Sequence, residues 1–304
     1  MKLPNFFILG APKCGTTALS LYLRGHPQVF MCTPKEPHYF AEEFPRYRIV
    51  ERWEDYAALF SGANSGHAAV GEASVFHLYA AGAVPRLLER CPDARLIVLL
   101  RNPIELAPAM HSQVLLTRDE TVPSFEKAWR LCKARRRGKA VPSSCREAKI
   151  LLYDRIAETG GQLSRLLEQA PRERVRWWFF DDFKRDPGRI YREVLAFLGL
   201  ADDGRSEFPP VNTRMRSRLQ CVAHFTQKPP AAWVRAAALS KCVLGVQYWG
   251  VLDFLRRINT TSAAPRPLSA DLEAELREHF APDVRLLAAI TGRNLDHWLR
   301  PRAC

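Results

Sequence analysis

GAPKCGTTA, residues Gly10–Ala18, follows the apolar run Phe6–Leu9 and precedes the amphipathic segment Leu19–Leu23. A strand, a glycine loop and a helix in this order are typical of a phosphate-binding loop. The backbone N–H groups of such a loop point at an anion, and the helix N-terminus adds a partial positive charge. The stretch therefore predicts an α/β fold whose first turn binds a phosphate.

The glycine spacing in this loop is that of a P-loop, but the residues after the second glycine differ. An ATP-binding P-loop places Lys and then Ser or Thr directly after that glycine. Here Thr16 follows Gly15, and the lysine lies inside the loop at Lys13. The loop therefore fits a phosphate other than the γ-phosphate of ATP. An ordinary glycine turn before a helix is the alternative interpretation.

A loop of the form Pro-Lys-x-Gly-Thr-Thr resembles that of the sulfotransferases that use PAPS (3′-phosphoadenosine-5′-phosphosulfate), including bacterial and heparan-sulfate-type members. The resemblance implies that the loop binds the 5′-phosphate and that Lys13 faces the oxygen bridging phosphate and sulfate. It assigns nucleotide binding to Lys13 together with Cys14, Gly15, Thr16, Thr17 and Ala18. Cys14 follows the lysine at a position where a thiolate is stabilised. The preferred interpretation is that Cys14 is a small residue of the loop whose backbone N–H, rather than its thiol, matters.

A second motif follows the apolar run Ala94–Leu100, which reads as a buried parallel strand. It ends in Arg101-Asn102-Pro103, and the resembling family has Arg-x-Pro there, followed by a serine; together they hold the 3′-phosphate. An arginine can donate two hydrogen bonds to one phosphate at the same time. The serine position is Ala109 here, and Ser112 lies one turn later. Capping of a carboxylate at a strand end is the alternative role for Arg101.

The segment KEPHYF, residues Lys35–Phe40, is the third match. In heparan-sulfate-type members the corresponding glutamate takes the proton from the acceptor, which implies Glu36 as base and His38 as its partner in catalysis. A hydrogen-bonded histidine beside an aromatic cluster is an equally good interpretation of His38. Gly71–Ser74 matches a further family segment more weakly.

The resemblance continues more loosely along the chain. Val175–Phe183 resembles the last core strand, and Phe197–Leu200 ends the helix that follows it. Asn212–Arg218 lies where relatives place a loop over the nucleotide, which implies nucleotide contacts from Arg216 and Ser217. We therefore predict an α/β, P-loop-like three-layer fold with a mostly parallel sheet flanked by helices. A single domain is expected over residues 1–304, with its core at about 1–205 and a helical C-terminal part at about 206–304.

The charge and composition of the chain constrain its binding partners and the cellular compartment that is expected for it. The net charge of the 304 residues is +13, which suits an anionic ligand, an acidic acceptor, a membrane surface or nucleic acid. A basic run over Arg130–Lys149 is interpreted first as a solvated helix face and second as a partner site.

The 8 cysteines lack Cys-x-x-Cys spacing, which favours reduced thiols and a cytoplasmic protein. The apolar stretch Ala236–Val251 reads as a buried helix rather than a membrane span, and docking on a membrane surface stays open.

The function predicted from these motifs is sulfuryl transfer from PAPS to a hydroxyl or amine of an acceptor, leaving PAP (adenosine 3′,5′-bisphosphate). The acceptor is a carbohydrate, a lipid or a small molecule, no metal is required, and no nucleic-acid partner is expected. One rival is a kinase or NTPase with a degenerate P-loop, in which Asp181 and Asp182 hold Mg²⁺ at a strand end. The other is a non-enzymatic, basic nucleic-acid-binding protein that uses Arg135–Arg137. The sequence leaves the oligomeric state undetermined.

Overall fold

A computed structural model describes residues 2–211, 215–217, 260–262 and 267–301, the two middle segments as backbone only. Its main strands are β1 (Phe6–Gly10), β2 (Val29–Met31), β3 (Ala69–Ala73), β4 (Arg95–Leu100) and β5 (Val175–Phe179). They form one sheet in the order β2-β3-β1-β4-β5, and every neighbouring pair is parallel. The predicted α/β class with a mostly parallel sheet is confirmed.

Burial on both faces explains why the strands are apolar without alternation. Every residue of β1 and of β3 is buried, and in β4 only Arg95 is exposed. A strand covered on both faces carries mostly apolar side chains on both, so it reads as a nearly continuous apolar run, and the buried Glu72 of β3 is an exception. Phe6 lies beside Gly71 of β3 and beside Arg95 of β4. Since the strands run parallel, the loops that leave their carboxyl ends share one edge of the sheet.

Helices cover the sheet and build the rest of the molecule. They are α1 (Thr16–Arg24), α2 (Trp53–Ala58), α3 (Ala83–Arg90), α4 (Pro103–Leu116), α5 (Phe125–Arg130), α6 (Cys132–Arg135), α7 (Tyr153–Ile156), α8 (Thr159–Gln169), α9 (Phe180–Arg185), α10 (Pro187–Leu198) and α11 (Ala270–Thr291). Helix α10 has a capping side chain at its start and a glycine at its end. Asp186 accepts a hydrogen bond from the backbone N of Arg189 at 2.9 Å, and Gly199 ends the helix at a φ of 74°.

The segment between α4 and α7 is helices and turns that carry most of the basic run. Arg135 is buried and lies 2.7 Å from the carboxylate of Glu120. Arg146 pairs with the buried Asp119, and their closest atoms are 2.6 Å apart. The interpretation as a solvated face therefore holds for Lys133 and its exposed neighbours, whereas Arg135 and Arg146 hold the segment together through buried carboxylates.

The last long helix, α11, packs on α8 and α4, and its apolar residues join the main hydrophobic core. The side chain of Ser269 caps its first turn. Two further strands, β6 (Met215–Ser217) and β7 (Thr260–Ser262), pair antiparallel, and β6 lies beside α4. The stretch Ala236–Val251 lies outside the described residues. Among the helices that the structure describes, none is both long and apolar enough to span a membrane.

Candidate active site

The glycine loop connects β1 to α1 at the carboxyl edge of the sheet. Gly15 precedes the helix with a φ of 89°, and a Cβ atom there would come within 2.9 Å of the Phe183 ring. The position therefore requires glycine both for its backbone and for its close packing. No side chain caps α1 at this end. Its first-turn N–H groups, those of Thr16, Thr17 and Ala18, suit the anion that the motif predicts.

The structure brings the first two predicted motifs into direct contact. Arg101 donates a hydrogen bond from Nη1 to the backbone oxygen of Lys13 at 2.9 Å, and a second from Nη2 to Glu105 at 3.0 Å. Its guanidinium also lies 4.6 Å from the centre of the Phe180 ring. The side chain of Lys13 donates from Nζ to Gln113 of α4 at 3.0 Å. No sequence motif pointed to Gln113, which lies 100 residues after Lys13 in the chain.

One polar atom of Arg101 bears on whether the loop fits an anionic ligand. Its Nε is buried and has no hydrogen-bond partner among the residues that the structure describes. The side chain is nevertheless 17% exposed, so part of the guanidinium stays accessible to a ligand. A buried donor without a partner is costly to leave unpaired. The residues present therefore fit an anionic ligand such as a phosphate.

The candidate serines for the 3′-phosphate differ in their surroundings. Ala109 is buried in α4 and has no hydroxyl to offer. Ser112 donates its hydroxyl hydrogen to the backbone oxygen of Pro108, one turn earlier in the same helix, at 2.9 Å. Arg216 and Ser217 lie in β6, beside α4, and their side chains lie outside what the structure describes.

The thiol of Cys14 is an unsuitable nucleophile. Its side chain is buried and points at the backbone oxygen of Pro12. Burial raises the pKa of Cys14 to about 12, although the charges of Arg101 and Lys13 act in the opposite direction. The preferred sequence interpretation, a small residue within the loop, agrees with this environment.

Glu36 and His38 lie on the loop after β2 and face each other. The carboxylate of Glu36 is paired with Lys35, and its second oxygen lies 3.6 Å from Nε2 of His38. Burial alone would raise the pKa of Glu36, but the neighbouring His38 and the charge of Lys35 lower it to about 2. The Glu36 side chain is still 36% exposed. It is therefore an ionised, accessible proton acceptor at neutral pH.

His38 lies beside Glu36 and also within an aromatic cluster. Its ring is stacked on Phe76 at 4.8 Å and contacts Tyr47 edge-on, so it belongs to an aromatic cluster. Its backbone N–H donates to the hydroxyl of Ser74 at 3.0 Å, while the backbone N of Ser74 donates to the oxygen of Ile8 in β1. Ser74, which belongs to the weaker family match, thus connects the glutamate loop to the strand that carries the glycine loop.

The aspartates of the kinase rival do not lie at a strand end. β5 ends at Phe179, so Asp181 and Asp182 lie in the first turn of α9. Asp181 accepts a hydrogen bond from the Trp298 indole at 3.2 Å, and Asp182 is paired with Arg293. Both carboxylates fix the C-terminal segment to the core. Within the described residues, no group of three or more His, Cys, Asp or Glu side chains is arranged to hold a metal ion.

Comparison with known proteins agrees with these motifs. The family model described as "Sulfotransferase domain" matches residues 3–216. The solved structure of a sulfotransferase from Alicyclobacillus acidocaldarius is 28% identical, with a TM-score of 0.72, and covers 99% of this chain and 100% of its own.

Curated relatives match over shorter stretches. Membrane-associated sulfotransferase kil1 of Dictyostelium discoideum is 35% identical over 34% of this chain and 21% of its own length. Mouse heparan sulfate glucosamine 3-O-sulfotransferase 3B1 is 29% identical over 66% of this chain and 47% of its own. Human carbohydrate sulfotransferase 15 is 34% identical over 34% of this chain and 26% of its own. The chain thus spans less than half the length of these curated relatives.

Proposed function

The chain belongs to the sulfotransferase domain family, and we propose that it transfers the sulfuryl group of PAPS to a hydroxyl or amine of an acceptor. One observation carries the proposal: the hydrogen bond from Arg101 to the backbone of Lys13 joins the two phosphate motifs at one edge of the sheet. Such an arrangement suits a nucleotide with phosphates at two positions, because a guanidinium beside a helix N-terminus offers donors to both.

Three side chains carry the proposed chemistry. The bound donor supplies an electrophilic sulfur and a phosphate leaving group. Glu36 accepts the acceptor proton while the acceptor oxygen or nitrogen bonds to sulfur and the bond from sulfur to the bridging oxygen breaks. Lys13 neutralises the charge that develops on the bridging oxygen. His38 orients the Glu36 carboxylate and shares the proton that it takes up. As in phosphoryl transfer, positioning and charge stabilisation dominate such a reaction.

The donor is tested by calorimetric titration with PAP and, separately, with ATP plus Mg²⁺. We expect PAP to bind without metal. We expect Arg101→Ala to weaken its binding by roughly 10- to 100-fold, the loss typical of hydrogen bonds to a charged group. Arg174→Ala is the matched control, because Arg174 pairs with the exposed Asp93 on the surface. ATP binding that requires Mg²⁺, with PAP inert, would overturn the proposal.

For the acceptor we propose a carbohydrate hydroxyl as the first class to test. The support is that two relatives are named for heparan sulfate glucosamine and for carbohydrate. Transfer of radiolabelled sulfate from PAPS should be measured onto heparan sulfate, other glycosaminoglycans, glycolipids and small phenols or amines. Labelling of the lipid or small-molecule acceptors alone would refute the carbohydrate assignment while leaving sulfuryl transfer intact.

A further inference from the structure

A fully buried polar cluster lies behind the Glu36–His38 pair. The hydroxyl of Tyr56 donates to Glu72 at 2.5 Å, and Nδ1 of His77 lies 3.8 Å from the other oxygen of Glu72. The ring of His77 stands nearly perpendicular to that of His38, with their centres 6.3 Å apart. The side chains of Glu72 and His77 are 0% exposed. A chain of titratable groups thus runs from the accessible Glu36 to the interior.

Four atoms of this cluster are buried without a hydrogen-bond partner among the described residues. They are Nδ1 of His38, one carboxylate oxygen of Glu72, and both ring nitrogens of His77. Their neighbours Phe40 and Phe76 are apolar. An apolar side chain would fill such a place at lower cost, because an unpaired buried polar atom loses its hydration without compensation. Packing therefore gives no reason for these polar groups.

The charge of Glu72 changes near neutral pH. Burial raises the pKa of Glu72 to about 7, although the neighbouring hydroxyls of Ser74 and Tyr56 oppose the rise. Burial also lowers the pKa of His77 well below its usual value, and the neighbouring His38 lowers it further, so His77 is neutral. The titratable groups that face Glu72 come from five places in the fold: Tyr56 of α2, His77 after β3, Cys32 after β2, Lys35 and Glu36 of the next loop, and Cys91 at the end of α3.

We propose that Glu72 and His77 are positioning residues for the reaction: ionised Glu72, acting across His77, stabilises the imidazolium form of His38 after the Glu36–His38 pair has accepted the acceptor proton. The inference rests on the proposed function of Glu36 as base. The proton moves from Glu36 to Nε2 of His38, which leaves Glu36 ionised and His38 positively charged. A buried anion favours that charge strongly, because the protein interior screens it weakly. When Glu72 is protonated and neutral, it no longer stabilises the positive charge on His38.

The activity test compares kcat over pH in wild type, Glu72→Gln and Glu72→Asp. We expect the ratio of wild-type kcat to that of Glu72→Gln to rise at least about tenfold between about pH 5.5 and about pH 8.5, with KM unchanged, since only ionised Glu72 differs from glutamine in charge. Glu72→Asp should restore part of this rise. A ratio that stays constant over the pH range, as expected of a purely structural role, would refute the proposal.

A second variant guards against misfolding of Glu72→Gln. Tyr56→Phe keeps the ring and removes the hydroxyl that favours ionised Glu72. We expect this variant to move the midpoint of the kcat profile to higher pH. An unmoved midpoint in a folded Tyr56→Phe protein would contradict the role of Glu72.

A readout without turnover separates this proposal from the proposed function. The ring signals of His38 are followed by NMR with labelled histidine and assigned through His38→Gln. We expect the ionisation of Glu72 to move these signals near pH 7 in wild type, and we expect this change to be absent in Glu72→Gln. Coupling seen by NMR in a protein that transfers no sulfate would refute the function alone. Sulfate transfer without any coupling would refute the positioning role alone.

Discussion

Lys13, Glu36 and His38 share an uncommon backbone conformation. Their φ angles are 62°, 63° and 53°, in the left-handed region that residues other than glycine rarely adopt. Such a residue costs of order 1–3 kcal/mol, and it persists where the surrounding structure over-determines it. All three were chosen from the sequence as catalytic, and the strain gives an independent reason to place function there. The loop conformations hold these side chains in place before any ligand arrives.

Glu36→Gln tests the base directly. We expect turnover to fall by about 10²- to 10⁴-fold, the usual contribution of a positioned general base, with PAP affinity unchanged. The measurement is single-turnover sulfate transfer beside PAP calorimetry. Glu54→Gln is a suitable control, since Glu54 is exposed and pairs only with the surface residue Arg52 among the described ion pairs. Wild-type turnover in Glu36→Gln would remove Glu36 from the base role.

Glu72 gives a prediction about stability and pH. Its folded-state pKa of about 7 exceeds the ordinary 4.5, so the folded protein binds more protons between these values than the unfolded chain does. Below about pH 4.5 the carboxyl is protonated in both states and does not lower the free energy of unfolding. As the pH rises from there through about 7, the free energy of unfolding falls. At 1.36 kcal/mol for each pKa unit, the cost at high pH is about 3 kcal/mol.

Glu72→Gln removes this cost. We expect its free energy of unfolding, relative to wild type, to improve by about 2 kcal/mol between about pH 5.5 and about pH 8.5, because part of the cost is already present at the lower pH. Urea unfolding at the two pH values measures the difference. An equal effect of the substitution at both values would show that the carboxyl does not titrate in this range.

At the scale of elements, the segment between α4 and α7 is fixed beside His38 through one carboxylate. Asp119 is buried and accepts hydrogen bonds from Tyr47 at 3.0 Å, from Thr117 at 2.7 Å, and from both the backbone and the guanidinium of Arg146. Tyr47 in turn contacts the His38 ring. Asp119 thus connects this segment to the aromatic cluster around His38.

Asp119→Ala should therefore loosen this segment. We expect a loss of about 1–3 kcal/mol in the free energy of unfolding, because the hydroxyls of Tyr47 and Thr117 and the backbone N–H of Arg146 lose their acceptor. Denaturant unfolding measures it. The matched control, Asp93→Ala, removes an exposed carboxylate paired with Arg174 and should cost at most about 1 kcal/mol. Equal losses in the two variants would contradict the role given to Asp119.

At the scale of the whole molecule, one carboxylate of α11 caps the start of α8. Asp283 accepts hydrogen bonds from the backbone N–H groups of Gly160 at 2.9 Å and Gly161 at 2.7 Å. The residue preceding α8 makes no side-chain cap of its own. Helix α11 thus caps α8 through a contact between residues that are more than 120 positions apart in the sequence.

Asp283→Ala should lower the free energy of unfolding by about 0.5–2 kcal/mol, the range measured for lost helix caps. Thermal and urea unfolding measure the change. Glu278→Ala on the same helix is the control, because that side chain is exposed and its loss should have little effect. If both variants unfold alike, the cap does not contribute to the docking of α11.

The amino-acid sequence by itself determined the parallel sheet, the main helices that flank it, and the positions of Lys13, Glu36, His38 and Arg101. Local patterns sufficed for these, because apolar runs, capping residues and loop motifs act over a few residues. Only the tertiary structure brought Gln113 to Lys13, joined Arg101 to the glycine loop, and placed Glu72 and His77 behind His38. The structure also shows Asp181 and Asp182 in the first turn of a helix rather than at a strand end. It pairs Arg135 and Arg146 with buried carboxylates. Those contacts join residues far apart in the chain, and their charge states depend on burial, which no local pattern encodes.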